Sequence, residues 1–320
     1  MNIHKIFIGN TLLLAVKAVM PIILTPVFLH TWGGEEYTQW LIFLSYLAFL
    51  GLYDLGLSNY AITHVHLRKS KKISTRIFFN LLTSIHISLT IFVLVLFCIF
   101  IFIIEQLGNN FSISVLVMLG LVTIFSAVNG YIISISRIYN NQHHAVYISL
   151  LYNVINYIGI YFLLQFQADQ TSVASWMLFT VSLSILASYK FIINKYDLLF
   201  RYSYSTRAYR AYLNRSIFYL FYKLTAILKV HFPILIISSM NPINIVIFTL
   251  HRAIVNIQNQ FLNLVNNSLL QDLTRNSKSL SNIIFIYLSI FGVVSIPISV
   301  TTHILYQYIF PVWIGEGYEK

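Results

Sequence analysis

Long apolar segments follow one another along almost the whole chain, with short polar connections between them. We predict nine of them, at 6–31, 38–62, 77–104, 111–136, 145–166, 173–194, 216–238, 244–270 and 281–304. As a helix, each is long enough to cross about 30 Å of hydrocarbon, since a helix rises about 1.5 Å per residue. In lipid a single segment can bond its own backbone groups only as a helix. The sequence therefore predicts an all-α polytopic membrane protein.

The composition supports this prediction by exclusion. Of the 320 residues, 58% are hydrophobic and 9% are charged, whereas about 25% are charged in a typical soluble domain. A soluble globular enzyme and a disordered chain are thereby excluded. The strands of an outer-membrane barrel alternate polar and apolar residues, which would lower the average hydropathy. The single cysteine, Cys98, lies inside an apolar segment and predicts neither a disulfide nor a metal framework.

The connections between the segments differ sharply in charge. On one side they contain no Lys or Arg, at 31–37, 105–110, 167–172 and 239–243. On the other side they contain Arg68, Lys69, Lys71, Lys72, Arg76, Arg137, Lys195, Arg201, Arg207, Arg210, Arg215, Arg275 and Lys278. Because cytoplasmic connections collect Lys and Arg, the N-terminus is predicted to be cytoplasmic. The basic, tyrosine-rich connector 195–215 is then cytoplasmic and is predicted to lie partly along the membrane surface.

A second group of charges lies within the apolar segments. Lys17, Lys223, Lys229 and Arg252 are cations, whereas Asp54 is the one clear acid. A charge at the bilayer centre costs at least about 2.5–3.5 kcal/mol, so such residues usually face a cavity. The surplus of cations predicts a water-filled cavity for an anionic substrate. For Lys223, about two turns from the cytoplasmic face, the preferred explanation is a side chain that extends to the interface.

The eighth segment carries a polar stripe. Its members are Arg252, Asn256, Asn259, Asn263 and Asn267. They fall within about a 100° arc of a helix, and the opposite face is apolar. We predict that this stripe lines a cavity, and the alternative is a helix–helix interface held by amide hydrogen bonds. The fifth segment carries a weaker version, in which Asn153, Asn156 and Tyr157 share a face.

Motifs of catalysis are not found. The sequence contains no nucleophile elbow, zinc-protease or phosphate-loop pattern and no dinucleotide-binding fingerprint in a suitable setting. We therefore predict that the protein is not an enzyme and uses no cofactor and no metal. His86, His231 and His251 stand singly in the segments, and the last two are candidate protonation sites.

Four stretches resemble the polysaccharide-exporter branch of the MOP (multidrug/oligosaccharidyl-lipid/polysaccharide) flippase superfamily, especially the Wzx-type O-antigen flippases. Residues 32–40, WGGEEYTQW, are similar to the turn between the first two helices of that family, and 52–59, LYDLGLSN, to its DLGL-x-N segment. Residues 229–252 resemble its seventh and eighth helices, and 313–315, WIG, the W-x-G after the ninth. The DLGL match is the most specific of the four.

The resemblance implies a flippase that moves an undecaprenyl-pyrophosphate-linked O-antigen, or a related polysaccharide repeat unit, across the bacterial inner membrane. Its partners would be membrane lipids and the polysaccharide polymerase and chain-length machinery, with no nucleic acid. We assign Lys17, Lys229 and Arg252 to the pyrophosphate, because cations in a desolvated cavity hold phosphate by charge-assisted hydrogen bonds. Asp54 is the candidate ion-coupling residue. The residues predicted to line the cavity and contact sugar are Asn256, Asn259, Asn263 and Asn153.

Flippases of this kind have about twelve or more helices in two six-helix lobes. We therefore predict an N-terminal lobe at 1–194, the connector at 195–215, and a partial C-terminal lobe of three helices at 216–320. The sequence is expected to be C-terminally truncated. The alternatives are a multidrug-type exporter of the same superfamily, a membrane glycosyltransferase or polymerase of the same pathway, and an inactive truncated flippase.

Overall fold

The computed structural model describes residues 3–58, 60, 75–106, 112–138, 142–196, 206–240, 244–249, 252 and 300. Every element in these ranges is helical, and six are long and apolar enough to cross a membrane. The outward faces of these helices carry large apolar side chains, such as Phe92, which is 61% exposed. The prediction of an all-α polytopic membrane protein is confirmed.

The first two predicted spans form a helical hairpin. One helical element runs Ile3–Ala48 and is divided at Gly33, whose φ of 75° and ψ of 176° are not helical. We call the part before Gly33 α1 (3–32) and the part after it α2 (34–48). The ring centroids of Phe28 and Tyr37 lie 5.2 Å apart, although nine residues of straight helix would separate them by about 13.5 Å. The chain therefore folds back at Gly33, where the positive φ favours glycine.

The second predicted span, 38–62, is not one regular helix. After α2 the chain forms a 3-10 helix, Phe49–Asp54. Leu55 and Gly56 then take positive φ values of 47° and 76°. The helix of this predicted span is therefore interrupted at Leu55 and Gly56, because left-handed residues cannot continue an α-helix.

The next four helices lie where they were predicted. They are α3 (Thr75–Gln106), α4 (Ile113–Ile138), α5 (Gln142–Gln165) and α6 (Gln170–Tyr196). The main packing contacts join α4 to α6, α1 to α5 and α5 to α6. Asn129 of α4 donates to Ser184 of α6 at 3.0 Å, so buried polar groups hold these helices together as they do in other membrane bundles.

Two turns meet at one end of the bundle. The Trp32 indole donates to the Ala168 carbonyl at 2.8 Å, and the Gln170 amide donates to the Glu36 carbonyl at 3.0 Å. The connections at 31–37 and 167–172, both free of Lys and Arg, therefore lie on the same side. This agrees with the predicted alternation of the connections.

The seventh helix, α7 (Thr206–Met240), is longer than the predicted span 216–238. It includes residues 206–215 of the predicted connector and packs against the α1–α2 hairpin and the 3-10 segment. Tyr209, Tyr212 and Leu213 pack against a buried cluster that contains Leu57 and Leu82. The expectation that the connector lies partly along the membrane surface remains a prediction. A short helical stretch at 244–249 begins the eighth span, and nearly all of the eighth and ninth spans lies outside the described residues.

Candidate functional site

The turn after the 3-10 segment holds a buried carboxylate. Asp54 is 1% exposed. Its Oδ1 accepts the Gly56 backbone N–H at 2.9 Å, and its Oδ2 accepts the Ser58 hydroxyl at 2.7 Å. The tight turn therefore supplies two hydrogen bonds to the carboxylate from the same DLGLS stretch that resembled the flippases. These bonds orient the Asp54 side chain from within its own turn, without a contribution from another helix.

The charge of Asp54 is balanced by α7. The Lys223 ammonium lies 2.6 Å from both carboxylate oxygens. The Lys223 side chain retains 26% of its exposure. The prediction that Lys223 extends to the membrane interface is wrong, because its ammonium pairs with Asp54 instead. One of the four predicted intramembrane cations therefore has its charge balanced by a carboxylate. The two residues of this ion pair are 169 residues apart in the sequence.

Gly56 allows α7 to approach this turn. A Cβ atom on Gly56 would lie 2.6 Å from the Cβ of Tyr219 and 2.7 Å from the backbone nitrogen of Leu220. Real side chains do not reach such distances, so only glycine permits both the positive φ and the contact with α7. The turn geometry and the ion pair therefore depend on the same residue.

His86 of α3 is buried in the bundle, and it was not among the residues predicted for a site. The residue is 2% exposed, and neither ring nitrogen has a hydrogen-bond partner among the described residues. Its ring centroid lies 4.1 Å from that of Tyr131 in α4 and 5.6 Å from that of Tyr53. No spacing pattern links these residues along the chain, because they come from three different elements.

Arg252 lies against α7 at a second position. Its Nη1 donates to the Val230 carbonyl at 2.6 Å. This carbonyl is close to Pro233, which lacks the N–H that would bond the Lys229 carbonyl in a regular helix. The Nδ1 of His231 lies 3.2 Å from the Ser45 hydroxyl of α2. The guanidinium is thus held three residues before Pro233, within the continuous helix α7.

The other two predicted phosphate ligands lie on α1 and α7. Lys229 is exposed on α7, next to the residue whose carbonyl binds Arg252. Lys17 lies in α1 and is partly buried. The structure therefore brings Lys229 and Arg252 to one stretch of α7. Asp54 and Lys223 meet about 9 Å away along the helix, since Lys223 precedes Lys229 by six residues.

The polar face of the fifth span packs inside the bundle. The Asn153 amide is buried and donates to the Ser149 carbonyl of its own helix at 2.6 Å. Asn156 accepts the Thr180 hydroxyl of α6 at 2.9 Å. The assignment of Asn153 to a cavity wall remains a prediction. The residues predicted for the wall of the eighth span lie outside the described residues, namely Asn256, Asn259 and Asn263.

The polar groups found in the described part of the chain are an ion pair, a guanidinium and hydrogen-bonding side chains. Within it, no three His, Cys, Asp or Glu side chains come together in a way that could hold a metal ion. No family model, curated protein or solved structure matches this chain. The resemblance to the polysaccharide exporters therefore remains a prediction.

Proposed function

We propose that this protein is a flippase for a lipid-linked oligosaccharide with an anionic head, namely the undecaprenyl-pyrophosphate-linked repeat unit of an O-antigen or related polysaccharide. The proposed site is the bacterial inner membrane, with the N-terminus in the cytoplasm. The proposal rests on one observation, the surplus of cations in the apolar helices. Beside the Lys223–Asp54 pair, α7 carries the exposed Lys229, and Arg252 lies against α7 through its bond to the Val230 carbonyl.

The geometry around Arg252 supports the binding of an anion. A guanidinium has five N–H donors in a planar fork. The Val230 carbonyl takes a bond from one of them, which fixes the position of the group while other donors can bind phosphate. Lys229 is exposed on the same stretch of α7 and adds a second positive charge. Two cations of this kind suit a pyrophosphate, whose negative charges are spread over several oxygens.

Complementation tests this proposal. In a strain that lacks its own O-antigen flippase, the full chain is expressed with Arg252→Ala or with Lys229→Ala. Loss of one charge-assisted hydrogen bond costs about 1.5–3 kcal/mol, so we expect surface polysaccharide to fall about tenfold or more when substrate is limiting. Arg252→Lys keeps the charge but loses the fork, and is expected to recover only part of the activity.

The matched control is Lys190→Ala, which removes an exposed cation from α6. It should leave surface polysaccharide unchanged at equal expression in the membrane fraction. Undiminished polysaccharide in both the Arg252→Ala and Lys229→Ala strains would refute the cationic site. A parent chain that does not complement at all would refute the proposed activity of this 320-residue form.

A further inference from the structure

One face of α7 is exposed over several turns, and its character changes along the helix. Near the start of α7 the exposed residues are Arg210, Asn214 and Arg215. In the next turns they are aromatic, since Phe218 is 77% exposed and Tyr222 is 68% exposed. We call these exposed residues of 210–222 the basic–aromatic face. None of them has a role in the proposed flippase site, so this face calls for a separate explanation.

Helix geometry brings the two arginines to the edges of this face. Successive residues turn by about 100° around a helix, so Arg210 and Arg215 lie about 140° apart around α7, with Asn214 and Phe218 between them. The Cα atoms of the two arginines are about 9 Å apart in a regular helix. Among the described residues, neither guanidinium has a hydrogen bond or an ion pair. Their long side chains can therefore converge on one anion placed over Asn214.

The length of α7 sets the depth of these residues in the bilayer. Helix α7 has 35 residues and is therefore about 52 Å long, whereas a bilayer with its headgroups is about 40–45 Å thick. The apolar span within α7 is Tyr212–Ser239. Arg210 and Arg215 flank the start of this span, at the level of the headgroups. Phe218 and Tyr222 lie about 4.5 and 10 Å beyond Arg215 along the helix, at the depth where aromatic residues are enriched.

We propose that the basic–aromatic face of α7 binds one acidic phospholipid of the surrounding leaflet, with its phosphate between Arg210 and Arg215 and an acyl chain along Phe218. Charge complementarity identifies this occupant. Residues 206–240 contain no Asp or Glu, and arginine binds phosphate oxygens through its planar fork of N–H donors. A zwitterionic lipid has the same phosphate but brings a cation of its own towards the two arginines. The proposal does not depend on what the protein transports.

Native mass spectrometry of the full chain in detergent tests this proposal by counting bound lipids. Dioleoylphosphatidylglycerol and dioleoylphosphatidylcholine have identical acyl chains, so the ratio of their Kd values for the first bound lipid isolates the effect of the headgroup. We expect the parent to bind phosphatidylglycerol more tightly. Arg210→Gln and Arg215→Gln should each weaken the binding of phosphatidylglycerol about fivefold, which is the contribution of one basic residue near an anionic membrane surface. Neither variant should change the Kd of phosphatidylcholine.

Matched controls separate this face from other exposed surface. Lys190→Gln removes an exposed cation that follows the exposed Tyr189 on α6, and it should leave both Kd values unchanged. Phe218→Ala should weaken the binding of both lipids, because the acyl chain loses its contact. Phe92→Ala removes a ring of α3 that is 61% exposed, and it should weaken neither.

Equal Kd values of the two lipids for the parent would overturn the proposal. So would a double variant, Arg210→Gln/Arg215→Gln, that keeps the preference of the parent. Loss of the preference in Arg252→Ala, but not in the double variant, would place the lipid at the proposed flippase site and also overturn it. Displacement of phosphatidylglycerol by excess inorganic phosphate would show that an anion alone is bound, against the proposed lipid. None of these results depends on whether polysaccharide is moved.

Discussion

Substitution of Lys223 by methionine would test how much the ion pair contributes to stability. The change removes the ammonium, keeps most of the apolar stem and leaves the Asp54 carboxylate buried, with 1% of its surface exposed. The hydrogen bonds from Gly56 and Ser58 remain. Asp54 would then carry an unpaired charge in the bundle.

The expected cost follows from this environment. Removal of one partner from a buried pair costs about 3–5 kcal/mol. Because two hydrogen bonds to Asp54 remain and Lys223 is 26% exposed, we expect the lower end, about 3 kcal/mol. Asp54→Asn should cost less, about 1.5 kcal/mol, since the remaining ammonium can turn to water. The double variant Asp54→Asn/Lys223→Met should lose less free energy of unfolding than the two single variants lose together, by about 1–3 kcal/mol.

Unfolding by SDS in mixed micelles measures these free energies, followed by tryptophan fluorescence. Lys229→Met is the matched control, because it removes an exposed lysine from the same helix. We expect it to change the free energy of unfolding by less than about 0.5 kcal/mol. Additive costs of Asp54→Asn and Lys223→Met would refute the pairing, and so would equal costs for Lys223→Met and Lys229→Met.

Two further predictions concern the bundle around this site. A Cβ on Gly159 of α5 would lie 2.1 Å from the Trp176 indole of α6, so Gly159→Ala should reduce the free energy of unfolding by about 1–3 kcal/mol. The control Gly130→Ala, whose Cβ would meet nothing within 4 Å, should not destabilise in the same assay. At the start of α6, hydrogen bonds from Ser172 hold the pKa of the Asp169 carboxyl below its usual range. The ionised carboxylate therefore stabilises the folded protein above about pH 4. This stabilisation is lost as the pH falls through the lowered pKa of the folded state. Asp169→Ala should therefore cost about 1 kcal/mol at pH 7 and progressively less as the pH falls below about 4, and a cost that does not fall with the pH would contradict this assignment.

The sequence placed most of the helices correctly but could not give the structure of residues 49–56. Helices α3 to α6 were recognisable because each has its own apolar segment bounded by polar connections. The 3-10 segment and the positive φ values of Leu55 and Gly56 lie inside an equally apolar stretch. Apolar residues are compatible with either conformation in lipid, so hydropathy alone could not distinguish them.

For the charged residues, too, the sequence predicted one part and the tertiary structure decided the other. Asp54 and Lys223 were recognised as unusual because a charge in an apolar segment is costly wherever it lies. Their pairing required α7 to pack over Gly56. The sequence alone thus determined the membrane class and the positions of the helices, since lipid requires each apolar segment to satisfy its own backbone. Only the tertiary structure decided which charges meet, because a contact across 169 residues depends on how the helices pack and not on any local pattern.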